Sequence, residues 1–337
     1  ARLGPQTARV RSDGSATHGR VHVAGEVTAA LRVYNFAVPI ERTLMATVAA
    51  ARRAPLAIAW ALAAFALFST VDTLIKLASA SLPVAQVAFF TTAAAAVPIG
   101  VVFWCEGGFR RFWPAVPGLV LLRAVFATSA SLCAWNAFAR LPLADAYALI
   151  FTVPLWVTVL SVPVLGERVR WKRATAVVVG FAGILVMLKP GEASLQPGHL
   201  FAAGAALSAA SAMLTTRVIG RRARGGVQLA ALSLLMLTVT APSVVAAPPA
   251  LDAATSALLV AAGGLLGLAQ FAIWTALQHG PAAVVSPFQY SQLLWATLYG
   301  ALVFGDWPTA STLAGAAIVI ASGLYIMHRE RVPRARA

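Results

Sequence analysis

The chain has 337 residues, 60% of them hydrophobic and 11% charged, where a soluble domain carries roughly 25% charged residues. With a mean hydropathy of +0.80, this composition excludes an ordinary soluble enzyme. The net charge of +15 falls in tails and short connections beside apolar runs, which is the positive-inside pattern of a membrane protein, and no nucleic-acid partner is expected.

Residues 1 to 53 hold eight Arg against three acids and no Met before Met45. They read as a disordered basic tail or as sequence preceding a natural start at Met45, with the second preferred. Apolar runs come next that are long enough to cross a hydrocarbon core, which needs about 20 helical residues. Ten are expected: Pro55 to Ala78, Val84 to Trp104, Gly118 to Phe138, Leu143 to Leu165, Ala174 to Leu188, Leu200 to Val218, Val227 to Ala247, Ala253 to Leu277, Ala282 to Phe304 and Thr309 to Met327. Runs such as FAAGAALSAASAML (Phe201 to Leu214) show no period-2 alternation, so helices rather than a barrel satisfy the backbone. The first run is too long for a secretory h-region and contains Asp72, which marks it as a retained helix.

Basic residues occupy every second connection: Arg110 and Arg111, then Arg168, Arg170, Lys172 and Arg173, then Arg221, Arg222 and Arg224, and finally the 331–337 tail. This bias places both termini in the cytoplasm. A shift of 139 residues lays Trp135 on Trp274, Pro142 on Pro281, Trp156 on Trp295, Gly166 on Gly305 and Glu167 on Asp306. A five-helix repeat is odd in number, so its second copy enters the membrane inverted. GERVRWKR (Gly166 to Arg173) holds four basic residues and its counterpart GDWPTAS (Gly305 to Ser311) none, as two faces of one membrane require. The expected fold is therefore an all-α membrane protein with ten transmembrane helices as two inverted five-helix repeats, residues 54–191 and 198–330.

The segments ARLPLADAYALIFTVPLWVTVL and its continuation to Gly191, and HGPAAVVSPFQYSQLLWATLYG and its continuation to Glu330, resemble the two EamA repeats of the drug/metabolite transporter superfamily. The resemblance covers residues 55 to 330 and implies bacterial inner-membrane carriers of small solutes, often exporters of amino acids, related metabolites or toxic compounds. VDTLIK, LLRAV and GLAQ match the family's helix-one acid and lysine, helix-three arginine and helix-eight glutamine, which are Asp72, Lys76, Arg123 and Gln270 here. Thr91 stands where related sequences often have Arg, and Asp306 replaces Glu in the second GE motif.

A charge at bilayer depth costs about 2.5–3.5 kcal/mol on insertion scales and so faces a cavity or a partner. Asp72 and Lys76 lie i,i+4 on one face and can pair. Lys76, within a turn of the helix end, also reads as a snorkelling side chain, whereas Asp72 lies roughly 6 Å deeper and reads as a cavity or proton-coupling group or one half of a structural ion pair. Arg123 reads equally as an interfacial anchor or a solute contact. Asp145 and Ser286 read as N-caps, and Glu167 and Asp306 as loop or cap residues. Trp156 and Trp295 sit well inside their spans, away from the interfacial girdle. With Asn136, Phe151, Thr152, Gln270, Tyr290 and Gln292 they compose an expected wall for a moderately polar organic solute. Pro154 and Pro287 predict kinks, and Cys105 and Cys133 read as small core residues. HExxH, GxSxG, CxxC and Walker signatures are absent, so no catalytic residue, metal or cofactor is expected. The expected function is secondary transport of a small-molecule solute across the bilayer, with proton coupling through Asp72. The alternative is a non-transporting polytopic protein, such as an intramembrane enzyme or an assembly partner. Oligomeric state is not readable from one chain.

Overall fold

The computed structural model describes residues 55–105, 114–167, 171–188 and 196–331. The basic segment 1–53, the tail 332–337 and the connections bearing Arg110, Arg111, Arg168 and Arg170 lie outside the described residues. The chain divides into the units Ala1–Ala54 and Pro55–Ala337, and all the described residues belong to the second.

Among the described residues, nine helical spans are long and apolar enough to cross a membrane. The first is α1 (Pro55–Ala78), followed by α2 (Val84–Cys105), α3 (Pro117–Phe138), α4 (Leu143–Ile150), α5 (Val153–Leu165) and α6 (Trp171–Leu188). Then come α7 (Pro197–Ile219), α8 (Gly225–Ala246), α9 (Ala253–His279), α10 (Ala282–Val285), α11 (Ser291–Tyr299) and α12 (Ala310–Arg331). The helices α4 and α5 together form the span Leu143–Leu165.

The expected ninth helix, 282–304, is not continuous. It is built from α10, a 3-10 segment Ser286–Tyr290, α11 and a π segment Gly300–Phe304. Pro287 supplies no amide for a carbonyl four residues earlier, so the chain tightens there. The span 143–165 is broken in the same way. Phe151 and Thr152 take ψ values of −1° and −4°, Pro154 follows, and the Thr152 hydroxyl donates to the Leu149 carbonyl at 2.7 Å. Displaced by 139 residues, this break falls on Tyr290 and Ser291, where α11 begins.

Each broken span ends in the same turn. Gly166 and Gly305 take φ of 65° and 70°, a left-handed conformation natural to glycine. The next amide then reaches back six residues, from Glu167 to the Ser161 carbonyl at 3.3 Å and from Asp306 to the Gly300 carbonyl at 2.9 Å.

Packing runs mainly between distant segments: α3 lies on α7, α6 on α12, α2 on α8 and α9, and α4 on α7, α11 and α12. The main core gathers Trp135, Tyr147, Phe151, Met236, Ala296 and Val319. Outside it, α8 has a window with mean hydropathy 2.0 of which only 11% is buried. Water cannot face that much apolar surface, and lipid can. Small residues allow close packing of α7, as expected: Ala202 is buried, and a Cβ added at Gly204 would lie 3.5 Å from Cys133 Sγ. Cys133 is half-buried, whereas Cys105 is exposed at the end of α2, contrary to its reading as a core residue.

Candidate functional site

At the middle of the bundle α1 brings Ser69 and Asp72 against α4 and α11. The Tyr147 hydroxyl donates to Asp72 Oδ2, accepts from Gln292 Nε2 at 3.3 Å and lies 3.5 Å from Ser69 Oγ. The Ser69 hydroxyl in turn donates to the Gln292 carbonyl at 3.4 Å, and the Trp135 side chain donates to Asp72. Four membrane segments thus meet on one half-buried carboxylate. A charge taken out of water needs such donors. Tyr147 continues into a run of rings: Phe138 at 5.1 Å, Phe151 at 5.6 Å, and then Phe151 to Tyr290 at 5.1 Å, edge to face.

Beyond the Phe151–Tyr290 pair lies a cavity of about 410 Å³ lined by Pro154, Met213, Arg217, Ser286, Gln289 and Met327, among others. The Tyr290 hydroxyl is buried without a hydrogen-bond partner among the described residues, and its ring seats where Gly323 has no Cβ.

The C-terminal end of α1 carries an ion pair. Lys76 Nζ lies 3.1 Å from Asp306 Oδ2, donates to the Leu141 carbonyl at 2.9 Å and sits 4.5 Å over the Phe304 ring. This overturns two expectations. Lys76 neither pairs with Asp72 nor snorkels, because Leu141, Phe304 and Asp306 converge on its ammonium, while Asp72 is held by Tyr147 and Trp135. Asp306 lies in the loop after Gly305, as expected, and is also the lysine's partner.

The cap assignments also change. Asp145 does not cap α4; its Oδ1 accepts from the Thr312 hydroxyl at 2.8 Å, tying α4 to the start of α12. Ser286 opens the 3-10 segment, and its hydroxyl faces Met327 Sδ at 3.7 Å.

Of the expected site residues, Asp72, Phe151, Tyr290 and Gln292 come together, and buried Thr152 spends its hydroxyl on the helix break beside them. The others stand apart from that cluster. Trp156 packs edge to face on Phe181 at 5.2 Å, and Trp295 stacks on Tyr299, whose hydroxyl is 2.9 Å from Thr70 Oγ1. Asn136 accepts from Arg140 at 2.6 Å near the start of α7. Arg123 Nη1 donates to the Gln228 carbonyl at 3.0 Å, joining α3 to α8, and Gln270 is half-buried on α9 beside Phe271, which meets Trp60 at 6.4 Å. Tyr147, Ser69 and Trp135 were missed by the sequence reading. The signal was present, since a tyrosine deep in an apolar span must find a partner for its hydroxyl.

The profile of the EamA-like transporter family matches residues 55–189. The riboflavin transporter of Vibrio cholerae serotype O1 is 30% identical over 278 residues, covering 80% of this chain and 92% of that protein. The chain belongs to the EamA-like transporter family. The pseudopaline exporter of Pseudomonas aeruginosa is 28% identical over 274 residues, covering 78% of this chain and 93% of the exporter. The S-adenosylmethionine uptake transporter of Rickettsia prowazekii is 28% identical over 196 residues, 56% of this chain, and the match spans 65% of that relative's length, just under two thirds. A solved structure described only as a protein crystal structure superposes with a TM-score of 0.56 at 18% identity, covering 82% of this chain and 99% of the other, which establishes a shared fold. The family member described here is therefore a multi-pass membrane protein, and its relatives are named for transport rather than for catalysis.

Proposed function

We propose that this transporter moves a small organic metabolite by alternating access between two inverted five-helix halves, residues 54–191 and 198–330, in a bacterial inner membrane with both termini cytoplasmic. One observation carries the reading. The cavity at the Arg217 end stops at Phe151 and Tyr290, directly below the Asp72–Tyr147–Gln292 cluster, while the Lys76 end carries an ion pair. A cavity that reaches the centre from one end, with an ion pair across the other, is the form expected of a carrier at one stage of alternating access. The recurrence of the span break and of the left-handed glycine turn at a spacing of 139 residues supports the repeat.

A cavity of about 410 Å³ falls within the roughly 300–1,000 Å³ of small-molecule sites. Its methionine and aromatic walls, with Gln289, Ser286 and Arg217, suit a moderately polar organic solute with an apolar or ring portion. Substrates named for the relatives, riboflavin, S-adenosylmethionine and pseudopaline, set the first panel. Export is the favoured direction, and Asp72 is the proton-sensitive group, held by donors that a protonated carboxyl would need less. The Asp72 cluster, Phe151 and Tyr290 line the solute path. The test is flux of a metabolite panel in proteoliposomes under an imposed pH gradient. We expect gradient-dependent movement of at least one solute, lost in Asp72→Asn; a variant that transports normally across the pH range would remove the coupling role.

A further inference from the structure

Between α3 and α8 lies a second concavity whose chemistry is unlike that of the cavity below Tyr290. It is a groove of about 310 Å³ that runs from Pro117 and Leu121 on α3 across Val227, Ala231, Leu234 and Thr238 on α8. The four α8 positions follow the i, i+4, i+7, i+11 spacing of one helix face. Thr238 is the polar residue of the lining, and its hydroxyl already donates to the Leu234 carbonyl at 2.8 Å. Leu121 and Leu234 are 57% and 65% exposed, so the groove opens sideways, where a membrane protein meets lipid. Val227 and Thr238 span about 16 Å along the helix, and one leaflet of the hydrocarbon core is about 15 Å deep. The groove therefore has the length and the dry lining of a seat for one acyl chain.

The surface end of the groove is basic. The Ala115 amide donates to the Arg222 carbonyl at 3.4 Å, which fastens the connection 220–224 to the start of α3 beside Pro117, and Arg123 ties α3 to the Gln228 carbonyl further in. The Arg222 side chain is exposed there. No acidic residue occurs in α3, α7 or α8 or in the connection 220–224, so these elements leave the positive charge unopposed. We infer that the groove holds an anionic phospholipid, with one acyl chain along Ala231 and Leu234 and its phosphodiester on Arg222. Basic pockets between membrane spans take phosphate headgroups, and a guanidinium presents the paired donors that two phosphate oxygens accept. A polar solute would find no partner along this lining. A second copy docked here about a two-fold axis along the membrane normal would bring Arg222 towards its own counterpart, like charge against like. The inference needs only a bilayer around the protein and stands apart from the solute and from alternating access.

The test is native mass spectrometry of the full chain released from detergent micelles, titrated with phosphatidylglycerol or with phosphatidylcholine of the same acyl chains. The parent protein should hold phosphatidylglycerol about 5-fold more tightly, the discrimination one arginine near a membrane surface supplies. Arg222→Gln should erase that preference, and Arg222→Lys should keep it. Ala231→Phe fills the groove from its wall and should bring phosphatidylglycerol down to the level of phosphatidylcholine. Thr238→Trp, at an exposed position near the inner end, should do the same without disturbing packed residues, and serves where Ala231→Phe fails gel filtration. Equal retention of both lipids by the parent would overturn the site. A preference that Arg222→Gln removes but neither groove variant alters would also overturn it, because the headgroup would then bind without the groove. A dimer in the spectrum that the groove variants dissolve would give this face to a second copy instead.

Discussion

Tyr147 is the side chain on which the central cluster turns, since it touches Asp72, Ser69, Gln292, Phe138 and Phe151. Tyr147→Phe keeps the ring and deletes the donor, leaving a deep carboxylate short of a partner. It should lower stability by about 1–3 kcal/mol, the usual cost of an unsatisfied buried group, and weaken solute flux more than it weakens the fold; thermal unfolding in detergent and proteoliposome flux read the two effects. Gly323 tests the neighbouring ring. A Cβ there would collide with the Tyr290 hydroxyl and come within 3.3 Å of its Cζ, so Gly323→Ala should cost about 1–3 kcal/mol through overpacking. Tyr290→Phe in the same chain removes the clashing oxygen and should recover most of that loss, giving a coupled double-mutant cycle.

Asp72 was legible in the sequence because a short acid deep in an apolar span has few alternatives. Its donors were not, because Trp135 and Tyr147 lie 63 and 75 positions along the chain, and no local pattern announces such meetings. Lys76 shows the same limit: its i,i+4 neighbour was the obvious partner on one helix, and a residue 230 positions away took the role.

At the level of elements, composition and proline placement read well. The long apolar runs are helices at nearly their expected limits, and Pro154 and Pro287 fall at breaks. What could not be read is how two helices approach. The faces of α6 and α12 meet at Gly183 and Gly315, where a Cβ on Gly315 would sit 2.7 Å from Met187 Cβ. Small residues allow such contact in membranes, where van der Waals packing rather than hydrophobic burial holds helices together. Gly315→Val should therefore part the two helices and destabilise the protein by about 1–3 kcal/mol, seen as a lowered midpoint in thermal unfolding. The same substitution at Gly118, where a Cβ meets nothing within 4 Å, should pass nearly unnoticed apart from its effect on helix propensity. Cap assignments fared worse than spans, since Asp145 and Ser286 sit at helix starts yet spend their oxygens on α12. Tertiary partners outcompeted the local role.

For the whole molecule, the proposed inverted arrangement makes a topological prediction. Trp171, just after the first glycine turn, and Trp307, just after the second, are 71% and 77% exposed. Single cysteines at these two positions, in the background without Cys105 and Cys133, should react with a membrane-impermeant maleimide from opposite faces of intact cells. Position 307 should label directly and position 171 only after permeabilisation. Labelling of both from one face would sink the inverted repeat, whatever the flux measurements gave.

The long reach of the Lys76–Asp306 contact also orders events on the ribosome. Asp72 meets its tyrosine donor as soon as the fourth span has emerged, but Lys76 waits for a partner 230 residues downstream. At roughly 5–20 residues per second that wait is on the order of tens of seconds. During it the ammonium can reach the Leu141 carbonyl but not its carboxylate, so completing this ion pair is among the last acts of biosynthesis. On the alternating-access proposal, a chain truncated before Asp306 would be inserted yet lack this seal.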